Sequence, residues 1–253
     1  MFGICNLAII PLRFEPSDRS EIVSQVLFGE HFEILEKSKQ WSRIKTQYDS
    51  YEGWVDSKQY QLISEENYNQ LSDDVIVLNS DLIEYITAPS NLLLPIPLGS
   101  SLSFLKNKEI NTAQFYFEGT TTQGIKDKKE LIKTAFLYLN APYLWGGKTP
   151  FGIDCSGFTQ MVYKLNGYKL FRDASQQALQ GEALSFIEES EPGDLAFFDN
   201  EEGNITHVGI IMENNYIIHA SGKIRIDRLD HLGIYNAEIN KHTHKLRVIK
   251  KII

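Results

Sequence analysis

The pattern of apolar and polar positions divides the chain into three parts. In the first part, residues 1–63, apolar and polar residues alternate in short runs at 30–35, 41–45 and 53–55, with polar turns between them. Alternation with a period of two predicts half-buried strands. Several short strands joined by turns are typical of a small β barrel or sandwich. We therefore expect a small β barrel at the start of the chain.

The second part, residues 64–123, has a less regular pattern. The segment 92–99 contains two prolines, which argue against a helix interior and against a central strand. The segment 115–119 has the pattern of a strand that ends at a turn. We interpret this part as a second, diverged β barrel.

The third part, residues 124–253, begins with apolar residues at helical spacing in 131–139, and Asp127 is a candidate N-cap for this helix. Ala141-Pro142 is expected to end it. The β-prone runs come later, at 195–198, 207–212, 216–220 and 247–253. Helices followed by a series of strands predict an α+β domain.

Composition and charge narrow the possible functions. The chain has 253 residues, 42% of them apolar and 23% charged, and a formal net charge of −8. No stretch approaches the roughly 20 apolar residues that a membrane helix needs, so we expect no membrane partner. No basic stripe is present, which argues against nucleic acid. The apolar run Ile4–Leu12 lacks the features of a secretory signal, which predicts a cytoplasmic location.

The two cysteines, Cys5 and Cys155, are too few for a disulfide framework, and Cys155 has the context of a reactive thiol. Glycine turns lead to Asp154, and the following apolar residues have helical spacing: Phe158, Met161, Val162 and Leu165. Cys155 is therefore expected in the first turn of a helix, where free N–H groups would lower its pKa and bind an oxyanion. The alternative is a small buried core residue.

Two histidines lie on β-prone runs after this cysteine. His207 and His219 are separated by the turn-like segment 213–215, which predicts a hairpin with both imidazoles on one face. One of them is suited to act as a base for the thiol, with a second polar group orienting it. His242 and His244 have a spacing that a metal site can use, but no further ligand set is evident. We therefore interpret both as solvent-facing and expect no metal and no cofactor.

Three motifs in the first part resemble those of bacterial SH3-like domains. They are Gly29-Glu30 at a turn, Trp41 followed by Ile44 on a strand, and Gly53-Trp54-Val55 on a closing strand. The resemblance covers about 60 residues and implies an SH3-like β barrel.

The third part resembles the NlpC-type family of cell-wall cysteine peptidases. The resemblance rests on six segments in the order that the family has them: 142–147, 154–158, 172–177, 192–195, 206–210 and 219–222. It implies an α+β, papain-like catalytic domain at 124–253, preceded by two small SH3-like β barrels at 1–63 and 64–123.

The same resemblance implies roles for individual residues. Cys155 matches the nucleophile, His207 the base and His219 the residue that orients the base. Tyr143 matches a tyrosine that lines the oxyanion site. The remaining matches are expected to contact the substrate: Asp154, Ser156 and Asp173 in the catalytic domain, and Glu30 and Tyr51 in the first SH3-like domain.

The combination of domains resembles the γ-D-glutamyl-L-diamino acid endopeptidases, or dipeptidyl-peptidases VI. The implied substrate is a murein peptide, L-Ala-γ-D-Glu-diamino acid, with a free N-terminal L-Ala, and the implied role is recycling of wall peptides. Three alternatives remain open. They are a secreted peptidoglycan hydrolase anchored by its SH3-like domains, a non-catalytic wall-binding module, and a thiol acyltransferase.

Overall fold

The computed structural model describes residues 1–106, 109–110 and 113–253. These residues form two compact units, Met1–Ile125 with Trp145–Pro150, and Lys126–Leu144 with Phe151–Ile253. The predicted second barrel therefore lies partly outside the described residues. Within the described ranges, no helix has the length and apolar character that crossing a membrane requires.

The first unit begins with a seven-stranded antiparallel sheet in the order β3-β2-β6-β5-β4-β1-β7. Its strands are β1 (Phe2–Ile4), β2 (Ile9–Arg13), β3 (Ile22–Leu27), β4 (His31–Ser38), β5 (Trp41–Thr46), β6 (Glu52–Asp56) and β7 (Gln61–Ile63). Alternate residues face one apolar core: Cys5, Ile10, Leu12, Val26, Phe32, Ile34, Ile44 and Val55. The three strands predicted from alternation are confirmed as β4, β5 and β6.

The rest of the first unit begins with a helix that the sequence analysis missed, α1 (Glu65–Asp73), which Ser64 caps by accepting a hydrogen bond from Asn67 N–H. Short strands follow: β8 (Val77–Asn79), β9 (Ile83–Ala88), β10 (Leu92–Pro97), β11 (Glu109–Ile110), β12 (Ala113–Gln114), β13 (Tyr116–Phe117), β14 (Thr121–Gln123) and β15 (Lys148–Thr149). The proline-containing β10 lies at the edge of a three-stranded sheet, as its composition requires.

The second unit contains β16 (Gly152–Ile153) and three helices, α2 (Glu130–Phe136), α3 (Cys155–Leu165) and α4 (Ala174–Gln177). The predicted cap of α2 is wrong. The helix begins after Lys129 and has no side-chain cap, because the carbonyl of Asp127 forms a turn with Glu130 N–H. The helix also ends earlier than predicted, at Phe136 rather than at Ala141-Pro142.

The strands of the second unit are β17 (Glu182–Leu184), β18 (Leu195–Asp199), β19 (Ile205–Met212), β20 (Tyr216–Ser221), β21 (Lys223–Asp230), β22 (Gly233–Asn236) and β23 (Lys241–Lys251). They form a sheet in the order β17-β23-β18-β19-β20-β21-β22, and β22 also pairs with β23. This additional pairing closes six strands, β18 to β23, into a barrel. The strand runs predicted at 195–198, 207–212 and 216–220 are confirmed as β18, β19 and β20.

Side chains on one face of these strands pack into an apolar cluster: Ala196, Phe198, Ile211, Ile217, Leu229, Ile234 and Ile249. The strand register pairs His207 with Phe198, and Gly209 with His219. Because side chains alternate between faces, His207 and His219 share the face of this cluster. His207 lies four residues along β19 from Ile211, or about 13 Å, and His219 lies two residues along β20 from Ile217, or about 7 Å.

Candidate active site

Cys155 is the first residue of α3, as its sequence context predicted. The preceding Asp154 is the N-cap, and its carboxylate accepts a hydrogen bond from Gly157 N–H at 2.6 Å. The Cys155 sulfur is buried and lies against the backbone N–H groups of Ser156 and Val208, the residue after His207. The start of α3 therefore places the thiol against β19, next to the position of His207.

The resting thiol is neutral, which differs from the expectation of a lowered pKa. Burial raises the pKa of Cys155 to about 12, and the negative charge of Asp154 adds to the rise. The N–H groups of Val208 and Ser156 and the charge of Arg172 act in the opposite direction and only partly offset it. Helix position alone therefore does not ionise this thiol, and a base must accept its proton as it reacts.

Asp154 and Ser156 belong to a buried network around Arg172. Two guanidinium nitrogens of Arg172 donate to the two carboxylate oxygens of Asp154 at 3.0 and 2.6 Å. Arg172 also donates to the Ser156 hydroxyl oxygen at 3.0 Å. The network lies directly beside the nucleophile position, and a fork of this kind holds both side chains in one geometry.

Tyr143 lies near Cys155 and Asp154 at the start of α3, and Asp173 lies at the start of α4. Tyr143 N–H donates to the carbonyl of Gly222 at 3.0 Å. Burial, with the neighbouring Cys155 and Asp154, raises the pKa of Tyr143 to about 12. The phenol is therefore a neutral donor near the sulfur. Asp173 occupies the N-cap position of α4, and its N–H donates to the amide oxygen of Gln176 at 3.2 Å.

The two predicted histidines form part of a buried relay. His207 Nε2 lies 2.9 Å from His219 Nδ1, and His219 Nε2 lies 3.0 Å from a carboxylate oxygen of Asp227 on β21. Glycine at 209 permits this approach, because a Cβ there would lie 2.8 Å from the His219 Cβ. The hairpin prediction is confirmed. Asp227 was missed, because its place beside His219 depends on the pairing of β20 with β21.

The prediction that His242 and His244 face solvent is wrong. His244 is half-buried and stacks on His207, with ring centroids 4.2 Å apart and an interplanar angle of 26°. His242, also half-buried, pairs with Asp230 at 2.9 Å. The alternation of β23 contained the signal, because Lys241, Thr243 and Lys245 face outward and the histidines between them do not.

Burial also sets the charge of these imidazoles. It lowers the pKa of His207 well below 6.5, and the neighbouring His219 and His244 lower it further. Burial likewise lowers the pKa of His244 to about 4, with His219 acting in the same direction and Asp227 against it. The His207 and His244 imidazoles are therefore neutral at pH 7, and a neutral His207 can accept a proton.

A metal does not fit the histidine cluster in this arrangement. Ring nitrogens of His207, His219 and His244 lie within 4.8 Å of one another. However, the stacked rings of His207 and His244 direct their in-plane lone pairs along nearly parallel planes, whereas tetrahedral coordination needs convergent lone pairs. The contact between His207 and His219 is a hydrogen bond that a metal would have to replace.

The two site residues predicted outside the catalytic domain, Glu30 and Tyr51, lie in the first unit. Glu30 is 8% exposed, and its carboxylate accepts from Leu27 N–H at 2.8 Å. The ammonium group of Lys148 lies 3.3 and 3.5 Å from the two oxygens of that carboxylate. Tyr51 is half-buried and packs against the apolar core of the first sheet.

Two protein-family models match this chain, one in its first part and one in its last part. Residues 140–246 match the model of the NlpC/P60 family. This segment is an NlpC/P60 domain. Residues 12–59 match the bacterial dipeptidyl-peptidase SH3 domain, which gives the chain an N-terminal SH3-like domain before the NlpC/P60 domain. The predicted resemblance to both families is confirmed.

Curated relatives extend the likeness beyond the NlpC/P60 domain. The γ-D-glutamyl-L-lysine dipeptidyl-peptidase of Bacillus subtilis is 29% identical over 217 residues, which cover 79% of this chain and 72% of the relative. The dipeptidyl-peptidase 6 of Lysinibacillus sphaericus is 25% identical and covers 85% of this chain and 87% of the relative. Together with the NlpC/P60 match, the similarity to these relatives identifies the chain as a peptidase.

A solved structure shares the fold. The crystal structure of an NlpC/P60 family protein from Bacillus cereus superimposes with a TM-score of 0.82 at 19% identity, and the match covers 100% of this chain and 99% of the other.

Proposed function

We propose that the chain is a cysteine peptidase that hydrolyses the bond between γ-D-Glu and the diamino acid in murein peptides with a free N-terminal L-Ala. The observation that carries the proposal is the thiol of Cys155 at the start of α3, against the strand of His207, whose imidazole belongs to a buried relay. The printed activity of the relatives from Bacillus subtilis and Bacillus cereus, γ-D-glutamyl-L-lysine dipeptidyl-peptidase, supports this bond as the target.

In the first step, the Cys155 sulfur attacks the γ-glutamyl carbonyl while its proton moves to His207. A neutral thiol and a neutral imidazole favour this concerted transfer over a preformed ion pair. The new C–S bond places a negative charge on the carbonyl oxygen. Backbone N–H groups at the start of α3 and the phenol of Tyr143 are suited to stabilise that charge.

In the second step, the intermediate collapses and the C–N bond breaks, as His207 returns its proton to the leaving amine of the diamino acid. The dipeptide remains on Cys155 as a thioester. Water then attacks the thioester, His207 accepts a proton from that water, and cleavage of the C–S bond restores the thiol. These steps require no cofactor.

Removal of a dipeptide requires the site to recognise the amino end of its substrate. A buried ammonium needs a carboxylate partner, and the candidates are Asp154 and Glu30. Asp154 already holds Arg172 at 2.6 Å, whereas Glu30 holds Lys148 at the longer distances of 3.3 and 3.5 Å. Because charge-assisted hydrogen bonds are usually about 2.7–2.9 Å, the contact between Glu30 and Lys148 is the weaker of the two ion pairs. We assign Glu30 to the ammonium group and Tyr51 to peptide binding, as the resemblance of residues 12–59 to the dipeptidyl-peptidase SH3 domain implies.

The buried pair changes the design of the Glu30 experiment. Glu30→Gln leaves Lys148 buried without its charge partner, and breaking such a pair costs about 3–5 kcal/mol. The double variant Glu30→Gln/Lys148→Met removes both charges and serves as the matched test. We expect KM for the free-amine peptide to rise at least 10-fold in both variants, since each loses about 1.4 kcal/mol or more of substrate binding. An unchanged KM in the folded double variant would remove Glu30 from the site.

The substrate itself is tested by mass spectrometry of products from synthetic L-Ala-γ-D-Glu-diaminopimelate and its L-Lys counterpart. We expect release of L-Ala-γ-D-Glu from the free-amine peptides and none from N-acetylated peptides. Efficient cleavage of acetylated peptides or of intact sacculi would contradict the proposed requirement for a free amino terminus and favour a wall hydrolase. Transfer of the dipeptide to an added amine instead of water would indicate an acyltransferase.

We further propose that the enzyme acts in recycling and resides in the cytoplasm. A free L-Ala amine exists only after the peptide has been released from its lactyl sugar, which supports a place downstream of an amidase reaction. Fractionation of cells with an antibody to the chain tests the location. A papain-like arrangement of the catalytic domain and a second SH3-like barrel at 64–123 are part of the same proposal, and an experimental structure of the full chain tests them.

A further inference from the structure

We propose that Asp227, held by Arg225, is a positioning residue that fixes which ring nitrogens of His219 and His207 carry protons. The inference rests on the proposed cysteine-peptidase function, which supplies the reaction that the proton arrangement would serve.

The three side chains lie on one face because of strand register. β20 pairs with β21 so that His219 is opposite Arg225, and Ile217 is opposite Asp227. Asp227 therefore lies diagonally across from His219, within reach of its ring. The Asp227 oxygen that contacts His219 Nε2 at 3.0 Å also accepts from Arg225 Nε at 2.7 Å. The second oxygen accepts from Arg225 Nη2 at 2.9 Å.

These contacts keep the carboxyl ionised. Burial by itself would raise the pKa of Asp227, but hydrogen bonds from His219 and Arg225 outweigh that effect and lower the pKa below its usual value. Asp227 is 7% exposed, so water provides little competition for its oxygens. The bidentate Arg225 also fixes the carboxylate plane, because the guanidinium fork matches both oxygens.

An ionised carboxylate can only accept hydrogen bonds, and this fact determines the protons along the relay. His219 Nε2 must carry the proton that it donates to Asp227. The neutral form of His219 has one N–H group, so in that form Nδ1 is an acceptor. His207 Nε2 must then be the donor across the 2.9 Å contact. His207 Nδ1 is left with its lone pair, which is the form that a base for the thiol requires.

A purely structural role for the pair is the competing explanation, since Arg225 also joins β21 to Glu238 through a 3.0 Å ion pair. The two explanations differ in the state of the imidazoles. A structural ion pair would affect stability and leave the tautomers of His207 and His219 unchanged, whereas a positioning residue controls them directly.

The test uses Asp227→Asn in the full chain, with Asp230→Asn as the matched control. Asp230 lies on the same strand and pairs with His242 at 2.9 Å, but this pair is far more exposed than Asp227 with His219. Nitrogen-15 NMR of histidine-labelled, substrate-free protein reports the tautomers. The rate of Cys155 alkylation by iodoacetamide against pH, together with kcat and KM, reports their effect on the thiol.

For Asp227→Asn we expect loss of the Nε2-protonated form of His219 and a KM within 2-fold. We expect kcat to be about 10–100-fold lower, by analogy with the loss when the hydrogen-bond partner of a metal-bound histidine is removed. Asp227→Glu keeps a carboxylate and is expected to retain the tautomer and recover part of kcat. Asp230→Asn should match the parent protein in the tautomers of His207 and His219, in the rate of Cys155 alkylation, and in kcat and KM.

Unchanged tautomers in Asp227→Asn, or a kcat within 2-fold of the parent, would overturn the inference while the proposed function stands. If Asp227→Asn does not fold, the double variant Asp227→Asn/Arg225→Met, which also removes the partner charge, decides by the same two criteria. A parent protein without thiol-dependent peptidase activity would instead contradict the proposed function, whatever the spectra show.

Discussion

The surroundings of the two cysteines differ although both thiols are free and buried. Cys5 lies among apolar side chains of the first sheet, and its thiol donates to the carbonyl of Leu7 at 3.1 Å. Cys155 lies at a helix start, against two backbone N–H groups and beside the strand of His207. Burial raises the pKa of both thiols.

Burial and thiol pKa therefore do not distinguish a structural cysteine from a candidate nucleophile in this protein. The distinguishing features are donors that can stabilise a developing anion and a neutral base that can accept the thiol proton. Among the described residues that contact Cys5, its hydrogen-bond partners are the backbone carbonyls of Leu7 and Val26, which cannot accept a proton in a reaction. The following experiments test this contrast.

The largest effect is expected from removal of each thiol in turn. Cys155→Ala should lower kcat by more than about 10⁴-fold, because loss of a catalytic nucleophile typically has that effect or a larger one. Cys5→Ala should retain kcat per folded molecule and lose only stability, since it removes a buried sulfur from an apolar core. Peptide hydrolysis assays and thermal unfolding measure both outcomes. An active Cys155→Ala protein would end the cysteine-peptidase proposal.

The histidines are expected to contribute unequally. His207→Ala should lower kcat by about 10²–10⁴-fold, the usual contribution of a general base. His219→Ala should cost less, because it removes a residue that acts through His207. Steady-state kinetics on both folded variants compare the two losses. A larger loss in His219→Ala would show that the assigned roles are wrong, although the family assignment would be unaffected.

Alkylation is expected to separate the two thiols directly. Iodoacetamide at pH 7 should modify Cys155 well before Cys5, because in the proposed mechanism His207 accepts the Cys155 proton during the reaction. Peptide mapping by mass spectrometry gives the two rates. In His207→Ala the rate at Cys155 should fall toward that of Cys5. Equal rates in the parent protein would contradict the contrast between the two environments.

The pH dependence of the peptidase should reflect the imidazole. His207 must be neutral to accept a proton, and its pKa is lowered well below 6.5. Activity should therefore not decrease as pH falls from 8 to 6.5 and should decrease only below that range. The acidic limb is the decrease in kcat/KM at low pH, and it is measured on protein that circular dichroism shows to be folded. A limb centred at or above pH 6.5 would contradict the buried, neutral imidazole.

The smallest effect concerns His244. Its pKa is about 4 in the folded protein and near 6.5 when unfolded, so the unfolded chain binds more protons between these values. Stability should fall as pH decreases from 6.5 to 4. His244→Phe keeps a stacked ring without a titrating group and should show a weaker decrease in urea unfolding between pH 6.5 and 4. An identical pH dependence in the two proteins would show that His244 does not contribute.

The parts of the fold that depend on local pattern were predictable. Alternation located β4, β5 and β6, and apolar runs located β18 to β20. The limits of α2 were not predictable in the same way, because residues 137–140 form turns where the apolar spacing continued. The closure of the barrel depends on pairing between β22 and β23, which no local pattern contains.

The same division holds for the candidate site. Cys155, His207 and His219 stand in recognisable motifs, whereas Asp227 and His244 reach the site only through strand register. The expected low thiol pKa was wrong, because the sequence shows the helix start but not the burial of the sulfur. The buried partner of Glu30, Lys148, lies 118 residues away and was also beyond sequence reasoning.

The strand β23 closes the barrel, pairing with β17, β18 and β22, and it follows all three along the chain. A ribosome releases the chain from its amino end, so Cys155, His207 and Asp227 all emerge before the strand that completes the barrel around them. Its pairing with β17 joins Glu182 to Lys251, a long-range contact of the kind that forms slowly. A nascent chain therefore has no closed barrel beside these residues until β23 has emerged from the ribosome.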